Sequence, residues 1–187
     1  GFVGDENMQV VRIKSQWPEE ENFSLFRADT GEEYIYIHFL TPVELVLEGN
    51  RVRVEPGACI LYNQHARQEF AARETPLLHD WFHVTGDLDP LMKKYELDYG
   101  CVYMPGQSFR LTRLIQDMEL ECLRGDPMAQ RVCELKIEEL FIAMARSCQA
   151  PERQCRLDRA VQKQLMALRL KVHHDFTHPW TVEEMAA

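Results

Sequence analysis

The sequence predicts an α+β protein in which an N-terminal antiparallel β-barrel is followed by helices. Three observations support this fold class. Eight short segments rich in β-branched and aromatic residues follow one another before residue 85. Tight turns join several of them, such as the Gly49-Asn50 pair and the Pro56-Gly57 pair. After about residue 105 the apolar residues recur at spacings of three and four, which are typical of amphipathic helices.

The predicted strands occupy most of the first 85 residues. We expect them at residues 8–14, 23–28, 34–40, 43–48, 51–55, 58–63, 67–71 and 78–84. An acidic loop at residues 17–21 separates the first two strands. Many short strands joined in sequence by tight turns indicate an antiparallel sandwich or barrel.

The helices predicted after residue 105 have recognisable ends. A first helix is expected at residues 108–124, where Gly125 ends it, and a second at residues 127–148. A third is expected at residues 158–175. Thr181 then begins a capping box that opens a fourth helix, and the sequence stops a few residues later. Because so short a helix is unstable alone, we expect this polypeptide to be a fragment of a longer protein.

The composition restricts the classes of function. The chain has 187 residues, of which 45% are hydrophobic, as in one globular domain or one domain with a small appendage. Its 30 acidic and 21 basic residues give a net charge of −9, which argues against wrapping of a nucleic-acid backbone by this segment. No apolar run approaches the roughly 20 residues of a membrane span. Six cysteines without CxxC spacing indicate reduced thiols and a cytoplasmic location.

Several short motifs resemble those of one family. Residues 53–57 read Arg-Val-Glu-Pro-Gly, residues 60–63 read Ile-Leu-Tyr-Asn, and residues 81–86 read Trp-Phe-His-Val-Thr-Gly. Together they resemble the N-terminal sensor domain of AraC/XylS-type bacterial transcription regulators. Residues 170–176 followed by residues 179–186 are similar to the opening of the DNA-binding domain of the same family. The order and spacing of these motifs are more specific than any one of them.

The resemblance implies a division of the chain into three parts. Residues 1–105 would form a cupin-like effector-binding barrel of the jelly-roll type, and residues 106–150 a helical dimerisation region. Residues 151–187 would supply a linker, the first helix and the start of a truncated helix-turn-helix domain. The implied function is to bind a small-molecule effector, with a carbohydrate as the favoured class, and to form a homodimer. DNA readout would come from helices that this sequence lacks.

The strand at residues 78–84 carries the principal candidates for ligand binding. Alternation places His79, Trp81 and His83 on one face. The resemblance implies that a His-x-Trp pair on this strand contacts a sugar, and that Gln68 occupies the place of a family histidine. Tyr36 and His38 are expected to form the opposite wall. The candidate ligand-binding residues are His79, Trp81, Phe70, Gln68, His83, Tyr36 and His38. The alternative for each of them is a place in an ordinary barrel core.

Two other classes of protein compete with a sensor. A cupin-fold metal-dependent enzyme, an isomerase or a dioxygenase, would need converging ligands, yet no His-x-His pair occurs. No serine lies in a Gly-x-Ser-x-Gly elbow either. We therefore expect no catalytic residue, no metal and no cofactor. The other competing class is a purely structural dimerisation module with a filled barrel, which predicts no response to any ligand.

The predicted helix at residues 127–148 has apolar side chains on more than one side. One face could pack on the barrel and the other on a second copy of the chain. The candidate dimerisation residues are Ile137, Leu140, Phe141 and Met144. The alternative is that both faces are buried within the monomer.

Overall fold

The computed structural model describes residues 8–149. The predicted linker, third helix and start of the helix-turn-helix domain, at residues 151–187, lie outside the described residues. The described elements in chain order are β1 (Gln9–Pro18), β2 (Ser24–Arg27), β3 (Tyr34–Phe39), β4 (Val43–Leu47), β5 (Asn50–Val54), β6 (Cys59–Tyr62), β7 (Gln68–Ala72), β8 (Leu78–Thr85), α1 (Asp89–Lys94), β9 (Val102–Tyr103), α2 (Ser108–Arg124) and α3 (Ala129–Gln149).

The strands form two antiparallel sheets that pack face to face. The five-stranded sheet has the order β1-β8-β3-β6-β9, and the four-stranded sheet has the order β2-β7-β4-β5. Apolar side chains between the sheets form one core, and the outer face of the five-stranded sheet shares a second core with α2 and α3. The mixed α+β class with a jelly-roll-like pair of antiparallel sheets is therefore confirmed.

The pairing of β3 with β8 decides which residues face which core. Ile37 lies opposite Trp81, and His38 lies opposite Asp80. Since directly paired residues project to the same side of a sheet, Ile37 and Trp81 face the inter-sheet space. His38 and Asp80 project to the opposite face, beneath α2. β3 and β8 therefore direct alternate residues toward the inter-sheet space and toward the helical layer.

All eight predicted strands are present, with small differences at their ends. β1 extends to Pro18 and includes part of the predicted acidic loop, which is possible because β1 is an edge strand. The β4–β5 loop consists of Glu48 and Gly49, whose φ angles are 49° and 81°, because Leu47 pairs with Asn50. The predicted Gly49-Asn50 turn was therefore one residue late.

The two helices that the periodicity predicts before residue 150 are also present. α2 spans the predicted residues 108–124 and ends at Gly125, which adopts a left-handed conformation and donates its N–H to the Glu121 carbonyl. The sequence reading missed α1 and β9, because six and two residues are too short to show a period. Within residues 8–149, no helix combines the length and apolar character that crossing a bilayer requires.

The predicted dimer seam on α3 is wrong in its choice of residues. Ile137, Leu140, Phe141 and Met144 are all buried in the core that α2, α3 and the five-stranded sheet share. They cannot meet a second copy of the chain without opening that core. α3 is apolar on more than one side because it packs against both α2 and the sheet.

Candidate functional site

A cavity of about 120 Å³ opens where β1, β8 and β3 of one sheet approach β2 and β7 of the other. Aromatic, aliphatic and polar side chains line it. Five of the predicted ligand-binding residues line the cavity: Gln68, Phe70, His79, Trp81 and His83. The structure therefore brings together residues from β7 and β8, which follow one another in the chain but belong to opposite sheets.

Tyr36 and His38 do not belong to this site, and their prediction is corrected. Both are fully buried on the outer face of β3, on the side of the helices. The Tyr36 hydroxyl donates to the Cys59 thiol over 3.1 Å, and the Tyr36 ring stacks on Phe82. Their expected places at the cavity are taken by Ile35 and Ile37, because the register of β3 against β8 reverses the assumed faces.

His79 presents an unpartnered acceptor. Its Nε2 lies 3.2 Å from Oε1 of Glu19, and its ring packs between Phe39 and Phe70. Burial lowers the pKa of His79 and outweighs the opposing effect of Glu19, so the neutral ring is favoured. With the Nε2 proton directed at Glu19, Nδ1 is an acceptor. Nδ1 is buried and has no hydrogen-bond partner within the described residues.

Gln68 supplies a second such acceptor. Its side chain is buried at the start of β7, opposite Arg27 of β2. Its Oε1 is buried, and nothing in residues 8–149 donates a hydrogen bond to it. Because buried polar atoms are nearly always satisfied, two unpartnered acceptors at one cavity indicate missing donors from a ligand or from water.

His83 and Trp81 form the outer part of the wall. Their rings meet edge to face with centroids 5.3 Å apart. The Nδ1 of His83 lies 2.6 Å from Oε2 of Glu33, and Arg12 reaches the other oxygen of that carboxylate at 3.5 Å. Burial lowers the pKa of His83, so this ring also favours the neutral state.

Three charged residues at the cavity stand outside the predicted ligand-binding set, although the sequence offered Arg27 as an anchor for an anionic ligand, with a surface position as the alternative. Arg12, Glu19 and Arg27 all line it, from β1, from the segment after β1 and from β2. Arg12 lies opposite His83 in the register of β1 against β8. Alternation along β1 could have indicated Arg12 once the pairing with β8 was known, but charged residues on an edge strand are usually exposed.

A buried polar network lies directly behind this wall. The Asp80 carboxylate accepts hydrogen bonds from Thr112 Oγ1 at 2.6 Å and from the Gln16 backbone N–H at 2.7 Å. His38 Nδ1 lies 2.8 Å from Asp80 Oδ2. Asp80 and His38 are fully buried. Because Asp80 stands between His79 and Trp81 in β8, this network ties the cavity wall to α2.

The network includes the connectivity Ser108–His38–Asp80, with 3.2 Å between Ser108 Oγ and His38 Nε2. That order is the one found in hydrolytic triads. Ser108 does not line the cavity beside Trp81, and a Cβ at Gly57 would stand 3.0 Å from its hydroxyl. The contact therefore serves to hold the start of α2 on the sheet. No cluster of three metal-binding side chains occurs among residues 8–149.

Comparison with solved structures finds weak similarities. ToxT from Vibrio cholerae aligns with a TM-score of 0.47 at 10% identity, covering 96% of this chain and 69% of ToxT. The Cnp3 cupin domain of Schizosaccharomyces pombe aligns with a TM-score of 0.30 at 8% identity, covering 48% of this chain and 76% of that domain. HEPD from Streptomyces albus, with 2-hydroxyethylphosphonate and Fe(II) bound, has a TM-score of 0.30 at 12% identity, covering 82% of this chain and 47% of HEPD. No family model and no curated protein matches the sequence.

Proposed function

We propose that this chain is the ligand-sensing and dimerisation portion of an AraC-type transcription regulator. The cavity beside His79 and Trp81 binds its effector. The observation that carries this proposal is that Gln68, His79 and Trp81 line one cavity, and that Gln68 Oε1 and His79 Nδ1 are buried acceptors without a partner among the described residues. The sequence motifs at residues 53–63 and 81–86 support the family assignment.

The chemistry of the wall favours a neutral molecule rich in hydroxyl groups. Two acceptors require donors, and each hydroxyl can donate one hydrogen bond. An apolar plate with a few placed polar groups is the usual composition of a small-molecule site. A monosaccharide or another small polyol satisfies both requirements. We therefore retain a carbohydrate as the proposed effector class.

The size of the cavity limits how the effector sits. Its volume of about 120 Å³ corresponds to roughly four water molecules, at about 30 Å³ each. Trp81 is only partly buried, so the cavity reaches the surface beside it. A small polyol would place its hydroxyl edge inside and the rest of its ring against the indole.

Asp80 provides a route from the effector to α2. It is flanked in β8 by two cavity residues, and its carboxylate holds Thr112 of α2. An effector that moves β8 therefore also changes the hydrogen bonds of α2. It shifts the balance between two arrangements only by its difference in affinity for them.

The dimerisation part of the proposal is supported by apolar side chains that remain exposed on α2 and at the turn after it. These exposed residues include Phe109, Leu120, Leu123 and Met128. Leu120 and Leu123 are three residues apart, so they share one face of α2. Such a surface is a candidate seam for a second copy.

The experiment is a thermal-shift screen of the 187-residue chain against monosaccharides and polyols. A ligand at one hundred times its Kd adds about 2.7 kcal/mol to the free energy of unfolding, which raises the Tm visibly. The shift should disappear in Trp81→Ala and persist in Trp17→Ala, because Trp17 is exposed and does not line the cavity. A shift that persists in Trp81→Ala would place the ligand elsewhere.

A further inference from the structure

A second cavity lies at the other open side of the two-sheet structure. It has a volume of about 720 Å³ and lies between the β4–β5 hairpin of one sheet and the β6–β9 edge of the other. This volume falls within the range of about 300–1,000 Å³ that small-molecule pockets occupy. None of its described lining residues is shared with the cavity beside Trp81.

The walls of the second cavity are mainly apolar. Val46, Leu47, Val54 and Val102 contribute aliphatic surface, and Val52 is 38% exposed although it lies in a strand. Covering an exposed apolar residue such as Val52 with an apolar molecule removes its surface from water, which is favourable in free energy.

The charged groups at this cavity nearly cancel. Glu48 and Arg67 are the two charged side chains among its described lining residues, and they carry opposite signs. The Arg67 guanidinium already donates to Glu69 over 2.7 Å and lies over the Phe26 ring at 4.9 Å. It is therefore not poised to hold an anion. The balance favours an uncharged occupant.

One polar group at this cavity is buried and unsatisfied. Tyr62, in β6, is 3% exposed, and its hydroxyl has no hydrogen-bond partner in the part of the chain that the structure describes. Burial raises the pKa of Tyr62, so the hydroxyl stays protonated at neutral pH and is able to donate. A buried donor without an acceptor is destabilising, and an oxygen acceptor supplied by a ligand would remove that penalty.

We propose that the second cavity is a binding site for an uncharged, largely apolar small molecule that carries one oxygen acceptor for the Tyr62 hydroxyl. The site is independent of the effector cavity, since the two share no described lining residue. A failed polyol screen would therefore not contradict this second site. Failure of the second site would likewise not contradict the proposed effector cavity.

The test uses Nile red, an uncharged aromatic dye with a carbonyl oxygen, titrated against the 187-residue chain. We expect saturable fluorescence with one dye per chain. Val52→Glu, which brings a charge to the apolar wall, should weaken binding more than about tenfold. Val11→Glu is the matched control, because Val11 is a similarly exposed strand valine that lines neither cavity. It should leave the Kd unchanged.

Tyr62→Phe removes the hydroxyl and keeps the ring. It should weaken Nile red binding about tenfold, as expected for loss of a buried hydrogen bond. Its melting temperature without dye should not fall, since the deleted group had no partner among the described residues. Equal effects of Val52→Glu and Val11→Glu, or fluorescence that does not saturate, would overturn the site. An unchanged Kd in Tyr62→Phe would show that the Tyr62 hydroxyl does not donate a hydrogen bond to the ligand.

Discussion

Thr112 of α2 donates a hydrogen bond of 2.6 Å to the carboxylate of Asp80, which lies in the strand that lines the effector cavity. Both residues are buried. The carboxylate projects away from the cavity, while the neighbouring His79 and Trp81 project into it. β8 therefore carries polar side chains on both faces, and the contact between Asp80 and Thr112 links the cavity wall to the helical layer.

Thr112→Val tests the contribution of this hydrogen bond. The substitution keeps the shape of the side chain and removes the donor, which leaves the buried Asp80 carboxylate short of a partner. We expect the free energy of unfolding to fall by about 1–3 kcal/mol in urea titrations. Thr112→Ser keeps the hydroxyl and should lose much less. A loss in Thr112→Val no larger than that in Thr112→Ser would contradict a stabilising role for this hydrogen bond.

The effector cavity should lose affinity as the pH falls below neutral. Burial lowers the pKa of His79 below its ordinary value of 6.5, with Glu19 and Asp80 opposing. Protonation at Nδ1 would convert the proposed acceptor into a donor. We expect polyol affinity, measured by calorimetry, to fall from about pH 7 to about pH 5. An affinity that is constant over this range would contradict the role of Nδ1.

The same pKa shift predicts a pH dependence of stability. Between the lowered folded-state pKa of His79 and the unfolded value of 6.5, the unfolded chain binds a proton that the folded chain does not. The free energy of unfolding therefore rises with pH through that window and falls as the pH drops. His79→Gln should make this dependence shallower. The comparison is made by urea unfolding at about pH 5 and about pH 7 in both proteins.

The burial of α3 predicts a contrast between two leucines. Leu140→Ala removes a fully buried side chain and should cost about 2–5 kcal/mol of the free energy of unfolding. Leu123→Ala removes a side chain that is 80% exposed in the single chain, and at concentrations low enough to keep the chain monomeric it should change the free energy of unfolding by less than about 0.5 kcal/mol. Chemical denaturation measures both. Similar losses would show that the exposed face of α2 is also covered.

Leu123→Glu tests the proposed dimer seam. A carboxylate at this exposed position costs the monomer little, but it would be buried in the seam and is expected to separate the copies. We expect sedimentation experiments to show a dimer for the wild-type chain and a monomer for the variant. A variant that stays dimeric at the same concentration would show that the dimer contact lies on another surface.

The sequence predicted much of the fold because local signals dominate it. The period-2 alternation in β8 correctly placed His79, Trp81 and His83 on one face. The register of β3 against β8 is a long-range property, however, and no local pattern reveals it. Tyr36 and His38 were therefore assigned to the wrong side of the sheet.

The buried network was equally hard to predict. The partners of Asp80 lie 64 and 42 positions before it and 32 positions after it in the chain. An aspartate within an apolar strand was the one available signal, since a buried carboxylate needs donors. The second cavity could not be predicted from the sequence, because its lining residues are mainly apolar and come from several strands.

The most direct test of the central claim is a calorimetric titration of Gln68→Leu with the polyol that the thermal-shift screen identifies. This substitution keeps the approximate volume of the side chain and removes the unpartnered acceptor. The account predicts at least about a tenfold loss of affinity, with the melting temperature of the free protein unchanged or higher. An affinity equal to that of the wild-type chain would contradict the proposal that this cavity binds the effector through Gln68.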